Sequence, residues 1–174
     1  MKTLVIGGVR SGKSAHAEKL LADADRVDYV APGPMPDEGK DAEWAARIAA
    51  HRLRRPAHWR TIETTDVAAA LWATANPVLV DSLGTWLSAH LDQLNAWTTT
   101  GWDGELRQRI FETAEAWAAC EEDLVMVTNE VGWTLVSEHA SGRLYTDWLG
   151  RINQLFAARC DEVHLVVAGR VLQL

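Results

Sequence analysis

Residues 7 to 14 read Gly7-Gly8-Val9-Arg10-Ser11-Gly12-Lys13-Ser14, a full match to the pattern G-x-x-x-x-G-K-[ST]. Each residue type in it has a chemical task. The glycines let the backbone curl so that its N–H groups point inward at phosphate oxygens, and a helix starting near Lys13 adds the positive end of its dipole. Lys13 is placed to hold the β- and γ-phosphates, and the Ser14 hydroxyl to hold Mg2+. The motif follows the apolar run Leu4-Val5-Ile6, the strand-to-helix junction at which such a loop works. Nucleotide binding is therefore preferred over a chance glycine-rich turn.

Three further groups carry usable chemistry. Asp81 closes the run Val78-Leu79-Val80, where phosphate-loop enzymes keep an acid that binds Mg2+ directly or through water. The same position suits a helix N-cap, a role open to Asp81 or Ser82. Glu130 follows Val127-Thr128-Asn129 and precedes Gly132 by two residues. It reads either as a carboxylate that accepts a proton or binds substrate, or as an ordinary turn residue. In the segment from Asp41 to Arg55, Arg47, His51 and Arg54 recur at spacings of four and three, so a helix there puts them on one face, with Arg55 and His58 at its exit. Such a stripe suits phosphate. Flanking guanidinium charge favours the neutral form of His51, which leaves a ring nitrogen able to attack phosphorus. Spacing alone leaves nucleophile, anion site and solvated basic face all open. His16, His90, His139 and His164 share no metal-ligand spacing and read as structural.

The elements that must position these groups alternate between short β-type runs and longer helical patterns. Strands are expected at Thr3–Ile6, Val27–Val30, Val78–Asp81, Leu124–Thr128 and Val163–Val167, with a late edge strand at Arg170–Leu172. Helices are expected over 13–23, 103–119 and 143–159, and over Asp41–Arg55, where Pro56 forces the end. The stretch Ala31-Pro32-Gly33-Pro34-Met35-Pro36-Asp37-Glu38-Gly39 precludes regular structure and reads as a long loop over a site. The fold class is α/β, P-loop NTPase-like, with a mostly parallel sheet flanked by helices. Residues 1–174 read as a single nucleotide-binding domain. In such sheets ligands sit beyond the carboxyl ends of the strands, which is where the loop at 7–14, Pro32–Gly33, Asp81 and Glu130 all fall.

A net charge of −7 argues against a nucleic-acid-binding surface. Cys120 and Cys160 lie far apart without metal-ligand spacing, which fits a reduced, cytoplasmic protein. No apolar stretch approaches the length of a membrane span or of a signal-peptide core. Nine tryptophans, at positions 44, 59, 72, 86, 97, 102, 117, 133 and 148, have no constant period and read as core or interface residues.

Several segments also follow one another in a recognisable order. They are Gly7–Ser14 with Ala17-Glu18, Ala46-Arg47-Ile48 leading to His51, Arg55-Pro56-Ala57-His58-Trp59-Arg60-Thr61-Ile62-Glu63, Val80–Leu83 with Trp86-Leu87-Ser88, Val127–Gly132, and Gly150–Gln154. Together they resemble the bifunctional adenosylcobinamide kinase / adenosylcobinamide-phosphate guanylyltransferase family of cobalamin biosynthesis, over nearly the whole chain. The resemblance implies two reactions. ATP or GTP phosphorylates the terminal hydroxyl of the corrinoid's aminopropanol arm. A histidine matched by His51 then takes GMP from GTP and passes it to the substrate phosphate. The resemblance also implies nucleotide contacts from Gly7, Gly8, Val9, Arg10, Ser11, Gly12, Lys13 and Ser14, from Arg52, Leu53, Arg54 and Arg55, and from Glu63 and Asp81. Pro32, Gly33 and Pro34 fall where the family has a further contact, usually with a hydroxyl that this chain lacks. A homo-oligomer, a trimer with sites near subunit boundaries, is implied as well. The competing readings are a P-loop small-molecule kinase without guanylyltransferase activity and a nucleotide-dependent regulatory protein.

Overall fold

The computed structural model describes residues 1–33, 46, 49 and 55–174. Pro34, Arg47, His51, Arg52, Leu53 and Arg54 lie outside the described residues. Ala46 and Ala49, inside the helix expected over Asp41–Arg55, are both helical.

Seven strands make one sheet among the described residues: β1 (Lys2–Gly7), β2 (Asp28–Ala31), β3 (Arg60–Glu63), β4 (Val78–Asp81), β5 (Leu124–Asn129), β6 (Glu162–Val167) and β7 (Arg170–Gln173). Their order is β3-β2-β4-β5-β1-β6-β7. Every neighbouring pair is parallel except β6 and β7. Five helices are described: α1 (Lys13–Leu20), α2 (Val67–Ala73), α3 (Leu83–Gln93), α4 (Asp103–Ala119) and α5 (Ala140–Ala157). The expected first helix, 13–23, ends earlier, at Leu20, where Leu21 forms the C-cap.

The central strands are near-continuous apolar runs because both faces of the sheet are covered. On one face, Leu4, Val30, Val80, Leu124 and Met126 pack with Leu71, Trp86, Leu87, Trp117, Leu149 and Phe156 from the helices. On the other, Val5, Tyr29, Leu79, Val125 and Val127 pack with Ala17 and Leu21. The period of two along a strand divides the site residues as well. Tyr29 and Leu79 share the α1 face, so Asp81 and, across the register Ala31↔Glu63, Glu63 belong to it too.

β3 was not expected from the sequence. As an edge strand whose four residues are largely exposed, it has no apolar alternation to reveal it. It is fastened to β2 by the buried Asp28, 1% exposed. Arg60 grips that carboxylate with Nε at 2.8 Å and Nη2 at 2.7 Å, and the Thr74 hydroxyl donates at 2.8 Å. Burial pushes the Asp28 carboxyl up, but hydrogen bonds from Arg60, Thr74 and Asn76 together with the Arg60 charge outweigh it and hold the group below its ordinary value. Of the tryptophans, Trp59, Trp86, Trp117 and Trp148 are buried, whereas Trp72, Trp97 and Trp133 are exposed.

Candidate active site

β1 runs straight into the glycine loop and the loop into α1, as the motif requires. Gly7 has to be glycine. A Cβ there would lie 2.5 Å from the Val166 carbonyl oxygen on β6 and 2.5 Å from Ser11 Oγ. Gly12 serves as the N-cap of α1 at φ 97°, in the left-handed region that favours glycine. No side chain caps that first turn among the described residues, which leaves its N–H groups the type of donor that anions take at helix N-termini. Ser11 N–H donates to Gly8 O at 3.3 Å, and Lys13 Nζ donates to the same oxygen at 3.2 Å. Val9 and Arg10 stand exposed on the outside of the curl, Arg10 at φ 57°.

The loop is braced from the far end of the chain. Ala168 and Gly169, at φ 50° and 74°, make the tight turn between β6 and β7, the backbone sign that two-residue hairpins need. Gly169 N–H donates to Ser11 O at 2.8 Å, and Gly169 Cα would be 3.3 Å from a Cβ on Gly12. On the other flank, Glu130 N–H donates to Gly7 O at 3.1 Å. Glu130 Oε1 in turn accepts from Gly132 N–H at 2.5 Å, so this carboxylate shapes the turn after β5. Below it Asn153 ties α5 to the same strand end: its Nδ2 donates to Asn129 O at 3.0 Å, and its Oδ1 accepts from the Thr128 hydroxyl at 2.6 Å.

Asp81 ends β4, two strands from β1 in the sheet, and the competing cap role falls to its neighbour. Ser82 is the N-cap of α3, its Oγ accepting from Thr85 N–H. The Tyr29 hydroxyl donates to Asp81 Oδ2 at 2.8 Å. Burial and the Asp81 charge push the Tyr29 phenol well above its ordinary value, so it stays protonated and remains a donor. Arg55 lies over the same ring, its guanidinium carbon 3.5 Å from the centroid, and Nη1 donates to Thr61 Oγ1 at 3.0 Å. Sequence reasoning did not single out Tyr29, because an aromatic in a strand is an ordinary β-former. Pro32 is buried and Gly33 half-buried at the end of β2.

His16 and His164, which read as structural, meet across 148 positions of sequence. His16 Nε2 and His164 Nδ1 are 2.9 Å apart. Glu162 Oε2 lies 3.0 Å from the other nitrogen of His164. Burial, then the charges of His164 and Lys19, lower the His16 pKa. Packing of α1 on β6 makes this pair, and no local spacing could show it.

The Ser14 hydroxyl and the Asp81 carboxylate are hard oxygen donors of the kind Mg2+ takes. The donor set therefore fits that ion. Among the described residues no group of three or more His, Cys, Asp or Glu could hold a metal, and no helix is long and apolar enough to cross a membrane.

Residues 3–174 match the model of the family described as cobinamide kinase / cobinamide phosphate guanyltransferase, CobU. The chain is 39% identical over 180 residues to the bifunctional adenosylcobalamin biosynthesis protein CobU of Salmonella typhimurium, covering 97% of each. It is 37% identical over 179 residues to the protein of the same name from Escherichia coli, again covering 97% of each. Among solved structures, 94% of the chain superposes on half of an ATPase from a type III secretion system, with a TM-score of 0.56 at 10% identity. At that identity the likeness concerns the fold alone, and the fold is that of the P-loop NTPases.

Proposed function

The chain belongs to the cobinamide kinase / cobinamide phosphate guanyltransferase family, and from that membership we propose how its residues divide the work. The enzyme is a transferase of adenosylcobalamin biosynthesis, a kinase and guanylyltransferase acting on cobinamide and its phosphate.

In the kinase step the loop from Gly7 to Ser14 cradles the triphosphate of ATP or GTP, and Lys13 balances the charge on its β- and γ-phosphates. The corrinoid hydroxyl attacks the γ-phosphorus. A new O–P bond forms, the bond to the bridging oxygen breaks, and the nucleoside diphosphate leaves while the hydroxyl proton passes to solvent. Ser14 and Asp81 would hold Mg2+, which when bound neutralises charge on the phosphates. Glu63 shares the face of Asp81 and supplies a second nucleotide contact. Glu130 sets the turn after β5 on which substrate rests.

In the second reaction a ring nitrogen of His51 attacks the α-phosphorus of GTP, forming an N–P bond as pyrophosphate departs. The phosphate of the first product then attacks the same phosphorus, and His51 is released. Splitting the transfer replaces one encounter between two anions with two steps, the first of which uses a neutral nucleophile. Arg52, Leu53, Arg54 and Arg55 hold nucleotide beside the histidine, with Pro32, Gly33 and Pro34 contributing backbone. We also assign the chain a cytoplasmic location and a trimeric assembly. The exposed apolar residues Trp133, Leu135 and Val136, which follow β5, support an interface.

The observation that carries this reading is the junction of β1, the glycine loop and α1, with Asp81 on the same face of the sheet. Incubation with α-labelled GTP tests the covalent half. The expected result is an acid-labile, base-stable label on protein that is lost in His51→Ala. A label that survives that substitution overturns the assignment of His51. No label at all, with cobinamide still phosphorylated, leaves a kinase alone.

A further inference from the structure

Tyr29 stands between two residues that the proposed function gives to the nucleotide. It is 2% exposed, within the cluster of Val5, Ala17, Leu79 and Val127. A phenylalanine would fill that space equally well. A hydroxyl buried there has a cost unless it finds a partner, and its partner is the Asp81 carboxylate at 2.8 Å. The ring itself carries Arg55, whose guanidinium carbon lies 3.5 Å from the centroid. Its Nη1 is held by Thr61 on β3, and its Nε is buried without a partner among the described residues. Arg55 is the first described residue after His51 in the chain, and the ring fixes its position.

We propose that Tyr29 is a positioning residue of the nucleotide site: its hydroxyl sets the orientation of the Asp81 carboxylate while its ring seats Arg55, so that the acid and the cation facing the phosphates are held at one spacing by one buried side chain. The proposal rests on the nucleotide roles assigned above to Asp81 and Arg55. Partners of this kind, which orient a metal-binding carboxylate, cost 10- to 100-fold in metal affinity or activity when removed, by the general order of such effects.

The test is equilibrium binding of GTP to the full chain, with Mg2+ and with EDTA, for Tyr29→Phe, Tyr29→Leu, Asp81→Asn and the double variant Tyr29→Phe/Asp81→Asn. Tyr29→Phe keeps the ring and loses the hydroxyl. It is expected to weaken binding of Mg-GTP about tenfold and to leave binding in EDTA unchanged. In the Asp81→Asn background the same change is expected to add nothing, the signature of two groups acting as one. Tyr29→Leu also removes the seat of Arg55 and should weaken binding in EDTA as well. Wild-type affinity of Tyr29→Phe for Mg-GTP overturns the proposal. So does an equal loss with and without Mg2+, or additive losses in the double variant. If thermal melts show Tyr29→Leu unfolded, the cycle between Tyr29→Phe and Asp81→Asn decides alone. Lys13→Ala separates this inference from its premise. If that variant binds GTP as the wild type does, the phosphate-loop reading itself falls, whereas a weakened Lys13→Ala beside an unaffected Tyr29→Phe removes only the role of Tyr29.

Discussion

Replacing Gly7 with alanine puts one methyl group where the structure has no room for it. The new Cβ would stand 2.5 Å from the Val166 carbonyl oxygen and 2.5 Å from Ser11 Oγ, about 1 Å inside ordinary contact. Ser11 can turn aside, but Val166 O belongs to β6, whose register sets Gly7 against Val166, so β1 and β6 have to part locally. Overpacking of this kind costs about 2 kcal/mol, which for a chain of this size lowers Tm by roughly 4–8 °C. The loop moves with the strand. A misplacement of about 1 Å at a phosphate site is worth on the order of a hundredfold in transfer rate. Gly8→Ala is the internal control, because nothing lies within 4 Å of a Cβ there. Thermal denaturation and a coupled kinase assay on both variants give the answer. The reasoning is refuted if Gly7→Ala melts and turns over like the wild type, or if Gly8→Ala loses as much stability as Gly7→Ala.

Two other expectations concern groups away from the loop. Because the folded Asp28 carboxyl lies below its unfolded value of 3.8, its contribution is complete above that value and is lost as pH falls through the folded one. Asp28→Asn should therefore melt below the wild type at neutral pH, with the gap closing in acid; a gap independent of pH contradicts the clip between β2 and β3. Burial, then the neighbouring Asp161 charge, pushes the Cys160 thiol up to about 12. Iodoacetamide at mildly alkaline pH should spare Cys160 in the native protein and modify it in guanidinium, as peptide mass mapping would record, and equal rates in both states would disprove the burial effect.

The strand–loop–helix junction at 7–14, the strand that ends at Asp81 and the parallel sheet were legible because each is written locally. Val78-Leu79-Val80 is a buried run, and Gly7, Gly12 and Lys13 stand at a fixed spacing whose reason is backbone geometry. The choice between Asp81 and Ser82 as helix cap was not local, since both residues suit it; the structure assigns the cap to Ser82. β3 escaped because Arg60, Thr61 and Glu63 are exposed at a sheet edge, where little burial shapes the pattern. The meeting of His16 with His164, and of Tyr29 with both Asp81 and Arg55, depends on which strands become neighbours, and residue spacing along the chain does not encode that order. The late strand expected at Arg170–Leu172 is present as β7, but its service to the site lies in the turn before it.

That turn makes the nucleotide motif unsuitable as a transplantable cassette. Grafted alone onto another strand-helix junction, Gly7–Ser14 would carry its own glycines and lysine. It would arrive without the amide of Gly169 that anchors Ser11 O or the β6 carbonyl that excludes every side chain at position 7. Redesign of the C-terminal hairpin is accordingly redesign of the glycine loop, even though the two are separated by most of the sequence.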